Sequence, residues 1–111
     1  MALLPILSQA KGPLPISASF DAPSDAPAYF TLTGSAWATT ANQMIGVSLE
    51  LDGKVIGSAM IFSNAVSTHR ALIPIEIPVK LDFGSHKITL VAATTATVTD
   101  LNDFFNVGLD Y

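Results

Sequence analysis

The chain has 111 residues, 50% hydrophobic and 13% charged, so it is long and apolar enough to fold as one domain around a packed core. Its formal net charge is −4 and its five Lys and Arg residues are scattered, which excludes the basic patch that nucleic acids or anionic membranes require. The absence of cysteine excludes a disulfide framework and thiolate metal sites, and no stretch approaches the roughly 18 apolar residues needed for membrane insertion as a helix.

Residues 1–13 form an apolar segment whose large side chains are costly to leave in water. One interpretation is the first strand of this chain's own sheet. The other is an arm that binds a neighbouring subunit or a larger assembly through Leu3, Leu4, Ile6 and Leu7. We treat residues 1–13 as this arm and residues 14–111 as a single sandwich domain. The segment lacks the basic start and long apolar run of a signal peptide, so we expect no cleavable leader.

Residues 14–20 alternate loosely and predict a short strand, and the Pro- and Asp-rich residues 21–27 predict an extended loop. Residues 29–38 predict the next strand, on which Tyr29 and Trp37 share one face. If these rings are exposed, they can stack against sugar rings as lectin platforms do. If they are buried, they are ordinary core aromatics.

The strongest local signal is Asp52-Gly53, which lies between two alternating runs and predicts a two-residue hairpin turn. Continued without interruption, the hairpin places Leu49 opposite Ile56. Its second face is then small and nearly uncharged, where an exposed face is normally polar. We therefore predict that this face contacts another subunit, through Gly46, Ser48, Val55, Gly57 and Ala59.

Residues 71–82 carry the longest regular alternation, and Pro74 and Pro78 remove two backbone donors from one side of it, which predicts an edge strand. The remaining pattern predicts strands over residues 86–93, 94–99 and 104–111, with a turn at 100–103. Seven or eight strands with short turns and no helical pattern predict an all-β fold, an antiparallel β-sandwich of jelly-roll type.

Candidate chemistry is sparse. The two histidines, His69 and His86, lie in no nucleophile motif, so we predict that the chain is not an enzyme. The densest group of oxygen ligands consists of Asp100, Asn102 and Asp103. Together with backbone carbonyls these residues suit a calcium ion, but Asp and Asn are also ordinary turn residues. No phosphate-binding glycine loop or zinc-ligand spacing is present, and we expect no cofactor.

Three segments carry a resemblance to small jelly-roll modules, within residues 29–111. They are Leu51-Asp52-Gly53, Gly84-Ser85-His86-Lys87-Ile88-Thr89-Leu90 and, after Asp100, Asp103-Phe104-Phe105-Asn106-Val107. The chain resembles the trimeric TNF/C1q-like domains, including those on phage and bacterial particles, which implies a homotrimer. It also resembles the sandwich carbohydrate-binding modules, which often have a G-x-H/N-x-I-x-L strand. This second resemblance implies that sugar is bound by some of Tyr29, Trp37, Asp100 and Asn102.

Together these features predict a non-enzymatic assembly protein, a component of a virus- or phage-like particle such as a capsid decoration or tail-associated subunit. It would be made in the cytoplasm and act at the particle surface, where the arm and the flat sheet face bind its neighbours. The alternative is a carbohydrate-binding module or small lectin, which requires exposed aromatic rings beside a polar, carboxylate-bearing loop.

Overall fold

The computed structural model describes residues 2–111, which form two four-stranded antiparallel sheets and one two-stranded sheet. The strands are β1 (Leu3–Lys11), β2 (Ile16–Ala22), β3 (Pro27–Thr33), β4 (Ser35–Ala36), β5 (Gln43–Leu51), β6 (Lys54–Ser63), β7 (Arg70–Ala71), β8 (Ile75–Lys80), β9 (Gly84–Ala92) and β10 (Phe104–Asp110). Residues 2–111 contain no helix that is long and apolar enough to cross a membrane.

The order of the long strands makes the sandwich a jelly roll. One sheet has the order β1-β10-β3-β8 and the other the order β2-β9-β5-β6, while the short strands β4 and β7 pair with each other. Apart from the β5–β6 hairpin, successive long strands alternate between the two sheets, so the chain wraps around its core. This confirms the prediction of an all-β, antiparallel, jelly-roll-like sandwich.

The hydrophobic core lies between the two sheets, because alternate residues of each long strand point inward. Its largest side chains without exposed surface are Phe30, Leu32, Ile45, Leu49, Ile88, Leu90 and Phe105. Burying a side chain of this size contributes about 1.5–3 kcal/mol, so the core is the main source of stability. The loops at the ends of the sandwich are therefore held on a rigid framework.

The apolar segment 1–13 supplies β1, the edge strand that pairs with β10. Leu4 lies opposite Leu109 and is partly buried against the core, as are Ile6 and Leu7, whereas Leu3 faces outward and is 59% exposed. Of the two interpretations of this segment, the structure shows the first, a strand of the chain's own sheet. The boundary drawn at residue 13 therefore does not separate an arm from the sandwich.

The Asp52-Gly53 turn forms as predicted, with positive φ at both residues, but the register beyond it differs. Leu51 pairs with Lys54 and Glu50 with Val55, and then a β-bulge shifts the ladder by one residue, so that Leu49 lies opposite Gly57 and not Ile56. The bulge inserts one extra residue into β6, which moves every later side chain of β6 to the other face.

The predicted subunit face is consequently not one surface. Ala59 points into the core, and Gly57 lies on the same inner face. Because Gly57 has no side chain, the Ile77 side chain of the opposite sheet approaches it closely. Gly46 stays on the outer face, but it is buried, and its N–H donates to Thr97 Oγ1, 3.0 Å away. The other two members also differ, since Ser48 is buried and hydrogen-bonded to Ser58, and Val55 is exposed beside the turn.

The predicted edge strand is confirmed, since β8 lies at the edge of its sheet with Pro78 opposite Tyr29. Its alternation holds for Ile77, which is buried, but Ile73 precedes the strand and is exposed. Residues 94–99, predicted as a strand, form turns with a single bridge between Val98 and Trp37. This bridge positions the 100–103 turn beside Trp37.

Candidate functional site

Three segments that are distant in sequence meet at one end of the sandwich. The pairing of β4 with β7 sets Ala36 opposite Arg70, which brings the preceding residue His69 beside Trp37. The bridge from Trp37 to Val98 brings the turn with Asp100 to the same place. We use the term His69 cluster for the residues that meet here: Ser35, Trp37, His69, Asp100 and Asp103.

Asp103 forms the buried floor of the His69 cluster and has no exposed surface. Its Oδ1 accepts hydrogen bonds from the Ser35 hydroxyl at 2.6 Å and from His69 Nδ1 at 2.8 Å. Its Oδ2 accepts the backbone N–H of Asp100 at 2.8 Å. A buried carboxylate is costly unless it is compensated, and these three donors compensate Asp103.

His69 lies between two carboxylates and is 36% exposed at its side chain. Because the Asp103 carboxylate only accepts hydrogen bonds, the proton on Nδ1 is fixed and Nε2 points towards Asp100 Oδ2, 3.6 Å away. The hydrogen bond to Asp103 raises the pKa of His69 above its usual value; the charges of Asp103 and Asp100 act in the same direction and burial opposes them.

Asp100 and Asn102 form the exposed rim of the cluster. Asp100 Oδ1 accepts the backbone N–H of Asn102 at 2.8 Å, which closes the turn and leaves Oδ2 facing His69. The Asp100 side chain is thus oriented by the turn, while the Asn102 side chain is exposed to solvent.

Trp37 forms the aromatic wall of the cluster. Its ring is half-buried, with its centroid 6.0 Å from that of His69 and an interplanar angle of 48°. Its Nε1 is buried and has no hydrogen-bond partner among residues 2–111. An unpaired buried donor is unfavourable by about 1–3 kcal/mol, so the position of the ring is set by packing and not by its N–H.

Tyr29, the other predicted platform residue, lies elsewhere. It is 43% exposed on the outer face of the first sheet, opposite Pro78 and Asp110. The predicted single strand is interrupted at Gly34, between β3 and β4, and eight residues of extended chain span up to about 26 Å. The structure therefore brings Trp37, Asp100 and Asn102 together and leaves Tyr29 apart.

The Ser35, Asp103 and His69 side chains do not form a hydrolytic triad. In such a triad the histidine lies between the serine and the carboxylate and removes the serine proton. Here the carboxylate lies in the middle, and Ser35 and His69 both donate to the same oxygen, Asp103 Oδ1. Nothing in this arrangement activates the Ser35 hydroxyl, and the expectation that the chain is not an enzyme stays a prediction.

The suggested calcium site stays a prediction as well. Asp100, Asn102 and Asp103 are neighbours as expected, but both oxygens of Asp103 already accept hydrogen bonds. That His69 joins them could not be predicted from local patterns, since it lies 34 residues from Asp103 and reaches it through the two-residue strands β4 and β7.

His86 has a structural role at a different place. Its Nδ1 lies 2.7 Å from Asp52 Oδ2 and its Nε2 lies 2.7 Å from the backbone oxygen of Asp82. Both partners only accept, so the two hydrogen bonds are made together when the ring is protonated. These hydrogen bonds, with that to Asp52 foremost, raise the pKa of His86 above its usual value, and His86 in turn lowers the pKa of Asp52.

A shallow groove of about 150 Å³ lies on the outer face of the first sheet, beside the edge strand β1. Gly108 forms its floor, and a side chain there would collide with Leu3. The groove is lined by Leu3, Pro5, Leu7, Ser8, Thr31, Asn106, Val107 and Gly108. Leu3 and Leu7 were predicted as members of the apolar arm, and no sequence pattern indicates a groove.

Neither a protein-family model nor a curated protein sequence matches the chain. Among solved structures, dimeric latent PorU from Porphyromonas gingivalis is similar over 97% of this chain and 12% of its own, with 12% identity and a TM-score of 0.57. A β-glucosidase from Paenibacillus barengoltzii is similar over 96% of this chain and 10% of its own, with 10% identity and a TM-score of 0.57. The chain thus spans about a tenth of either protein.

A third similar structure is the CBM36-1 domain of a multidomain xylanase from the hindgut metagenome of Trinervitermes trinervoides. It matches over 96% of both chains, with 14% identity and a TM-score of 0.46. Its name places it among carbohydrate-binding modules. At these identities the likeness to the first two structures concerns the fold alone.

Proposed function

We propose that the chain is a carbohydrate-binding domain and that sugar binds at the His69 cluster. The observation that carries this proposal is the convergence of Trp37, Asp100 and Asn102 at one end of the sandwich, joined by His69. These residues supply the two requirements of a sugar site, an aromatic ring and nearby polar side chains.

The chemistry of the cluster suits a sugar ring. The accessible part of the Trp37 ring offers an apolar face to the C–H groups of a pyranose, while Asp100 and Asn102 offer acceptors and donors to its hydroxyls. The buried hydrogen bonds of Asp103 hold His69 in place, so few side chains need to be ordered when ligand binds. The site is open, so we expect weak affinity for one sugar ring and stronger binding to a polymer.

Binding to a panel of soluble polysaccharides, measured by affinity electrophoresis, tests the proposal. The wild-type chain is expected to be retarded by at least one glycan, and Trp37→Ala and Asp100→Asn to lose most of that retardation. Tyr29→Ala is the matched control, because Tyr29 is an exposed aromatic remote from the cluster. Retardation by no glycan, or equal retardation of all three variants, would contradict the proposal.

Self-association is a second candidate, favoured by one observation. Met44 and Phe62 pair across β5 and β6 on the outer face of the second sheet and are 47% and 51% exposed. Adjacent exposed apolar side chains of this size are typical of contact surfaces. Light scattering behind a sizing column tests it: a trimer supports the assembly function, and a monomer contradicts it. Location on a virus- or phage-like particle stays a prediction.

A further inference from the structure

We infer that His69 Nε2 and Asp100 Oδ2 together bind a first-row transition-metal ion, of which Zn²⁺ is the natural representative. The inference does not depend on sugar binding, since it concerns the donor atoms of the empty cluster. Its basis is the geometry of three side chains: two that offer free electron pairs and one, Asp103, that orients the histidine from behind.

The two donor atoms have a separation suited to a metal ion. Nε2 and Oδ2 are 3.6 Å apart, too far for a direct hydrogen bond. Two ligands with bonds of about 2.0–2.1 Å at a tetrahedral angle lie about 3.4 Å apart. The pair therefore needs to move by only a few tenths of an ångström to hold one ion between them.

The direction of the His69 ring is fixed before any ion arrives. Nδ1 donates to Asp103, so the electron pair available to a metal is that of Nε2 in the neutral ring. Asp103 is itself immobilised by Ser35 and by the Asp100 N–H, and has no exposed surface. A metal-binding imidazole usually donates its other ring N–H to a carboxylate in this way, which fixes the orientation of the ring.

The donor set selects the kind of ion. One imidazole nitrogen and one carboxylate oxygen suit Zn²⁺, Ni²⁺ or Cu²⁺, whereas Ca²⁺ and Mg²⁺ take oxygen ligands. Asp103 also offers a carboxylate oxygen to this group, whose donor atoms lie within 4.8 Å of one another, but both of its oxygens already accept hydrogen bonds. Two protein ligands leave the remaining positions of the ion to water or to a small oxygen ligand, so we expect modest affinity.

His86 provides the matched control. It also touches a carboxylate, but both of its nitrogens donate hydrogen bonds within the fold, which leaves no free electron pair. If the metal bound to any exposed histidine, substituting His69 or His86 would weaken binding according to the exposure of each side chain. If it binds between His69 and Asp100, substituting His69 weakens binding and substituting His86 does not.

The test is a titration of the full chain with Zn²⁺ by calorimetry, without sugar. We expect saturable binding at one site, weakened about 10-fold or more by His69→Ala and by Asp100→Asn, and unchanged by His86→Gln. In ¹H–¹⁵N spectra of the imidazole nitrogens of the wild-type chain, the His69 Nε2 signal should shift on addition of Zn²⁺. The His86 signals should stay in place, and this measurement needs no variant to fold.

The following results of the zinc titration would overturn the inference. If zinc binding is not saturable, or if the His69→Ala variant binds zinc with the same affinity as the wild-type chain, His69 only pairs with the two carboxylates and does not bind metal. A shift of the His86 signals alone would place the ion elsewhere. Zinc binding without binding to any glycan would contradict the proposed function and support the metal site. Glycan binding that is insensitive to a chelator, in a chain that does not bind zinc, would support the proposed function and contradict the metal site.

Discussion

His69 Nδ1 lies 2.8 Å from the buried Oδ1 of Asp103, and this contact joins the segment before β7 to the turn before β10. The two residues are 34 positions apart, yet both belong to the end of the sandwich where Trp37 lies. The same contact fixes the tautomer of His69 and compensates the buried charge of Asp103. Stability and the proposed sugar site therefore depend on the same carboxylate.

Replacing that carboxylate should be strongly destabilising. Asp103→Ala leaves Ser35, His69 and the Asp100 N–H without their acceptor, so we expect the free energy of unfolding to fall by about 3 kcal/mol. Urea unfolding measures this. Glu76→Ala, at an exposed position, is the control and should change stability by about 0.5 kcal/mol or less. Equal effects of the two substitutions would show that Asp103 is not compensated as described.

The His86–Asp52 pair should make stability depend on pH in both directions. The pKa of His86 is raised in the fold, so its contribution is complete below about 6.5 and is lost as pH rises through the folded pKa. The pKa of Asp52 is lowered, so its contribution is complete above 3.8 and is lost as pH falls through the folded pKa. We expect the melting temperature, measured from pH 3 to 9, to vary less at both ends of this range in the His86→Gln variant than in the wild-type chain. An unchanged pH profile would contradict this.

Leu3 and Leu4 provide a test of the edge strand, because neighbouring residues of β1 face opposite ways. Leu4→Ser removes a partly buried apolar side chain and should lower the free energy of unfolding by about 1–3 kcal/mol. Leu3→Ser changes an exposed side chain and should have an effect of about 0.5 kcal/mol or less. If the segment were instead a free arm, both substitutions would leave unfolding unchanged.

Gly57 tests the register of the β5–β6 hairpin. A Cβ at this position would lie 2.6 Å from Ile77 Cδ1 in the opposite sheet, so Gly57→Ala should destabilise by about 1–3 kcal/mol. The additional change Ile77→Val removes that Cδ1 atom and should recover part of the loss, which a double-mutant cycle measures. In the uninterrupted register Gly57 would face outward, and the two substitutions would then be additive.

Much of the fold could be predicted from the sequence, because strand period and turn chemistry are local signals. The Asp52-Gly53 turn and the β8 edge with Pro78 are examples. The bulge at Ile56 was not predicted, because the Gly57 that follows it is equally compatible with a bulge and with a small residue in a regular strand. A single inserted residue then reversed the faces assigned to Gly57 and Ala59.

The candidate site could be predicted only in part. Trp37, Asp100 and Asn102 were identified from their residue types, which aromatic stacking and turn chemistry favour. Their convergence through His69 depends on β4 and β7, strands of two residues that are too short to show an alternation. The interruption at Gly34, which separates Tyr29 from Trp37, has the same origin in tertiary packing, because the ring of Phe105 occupies the space beside Gly34.

Sugar binding at the His69 cluster is tested most directly by mapping backbone amide shifts during titration with the glycan that retards the wild-type chain. We expect the largest shifts to fall on Trp37, His69, Asp100 and Asn102, accompanied by a change in the fluorescence of Trp37, the single tryptophan. Shifts confined to Tyr29 or to the groove over Gly108 would contradict it, because they would place the sugar on the sheet face instead of at the His69 cluster.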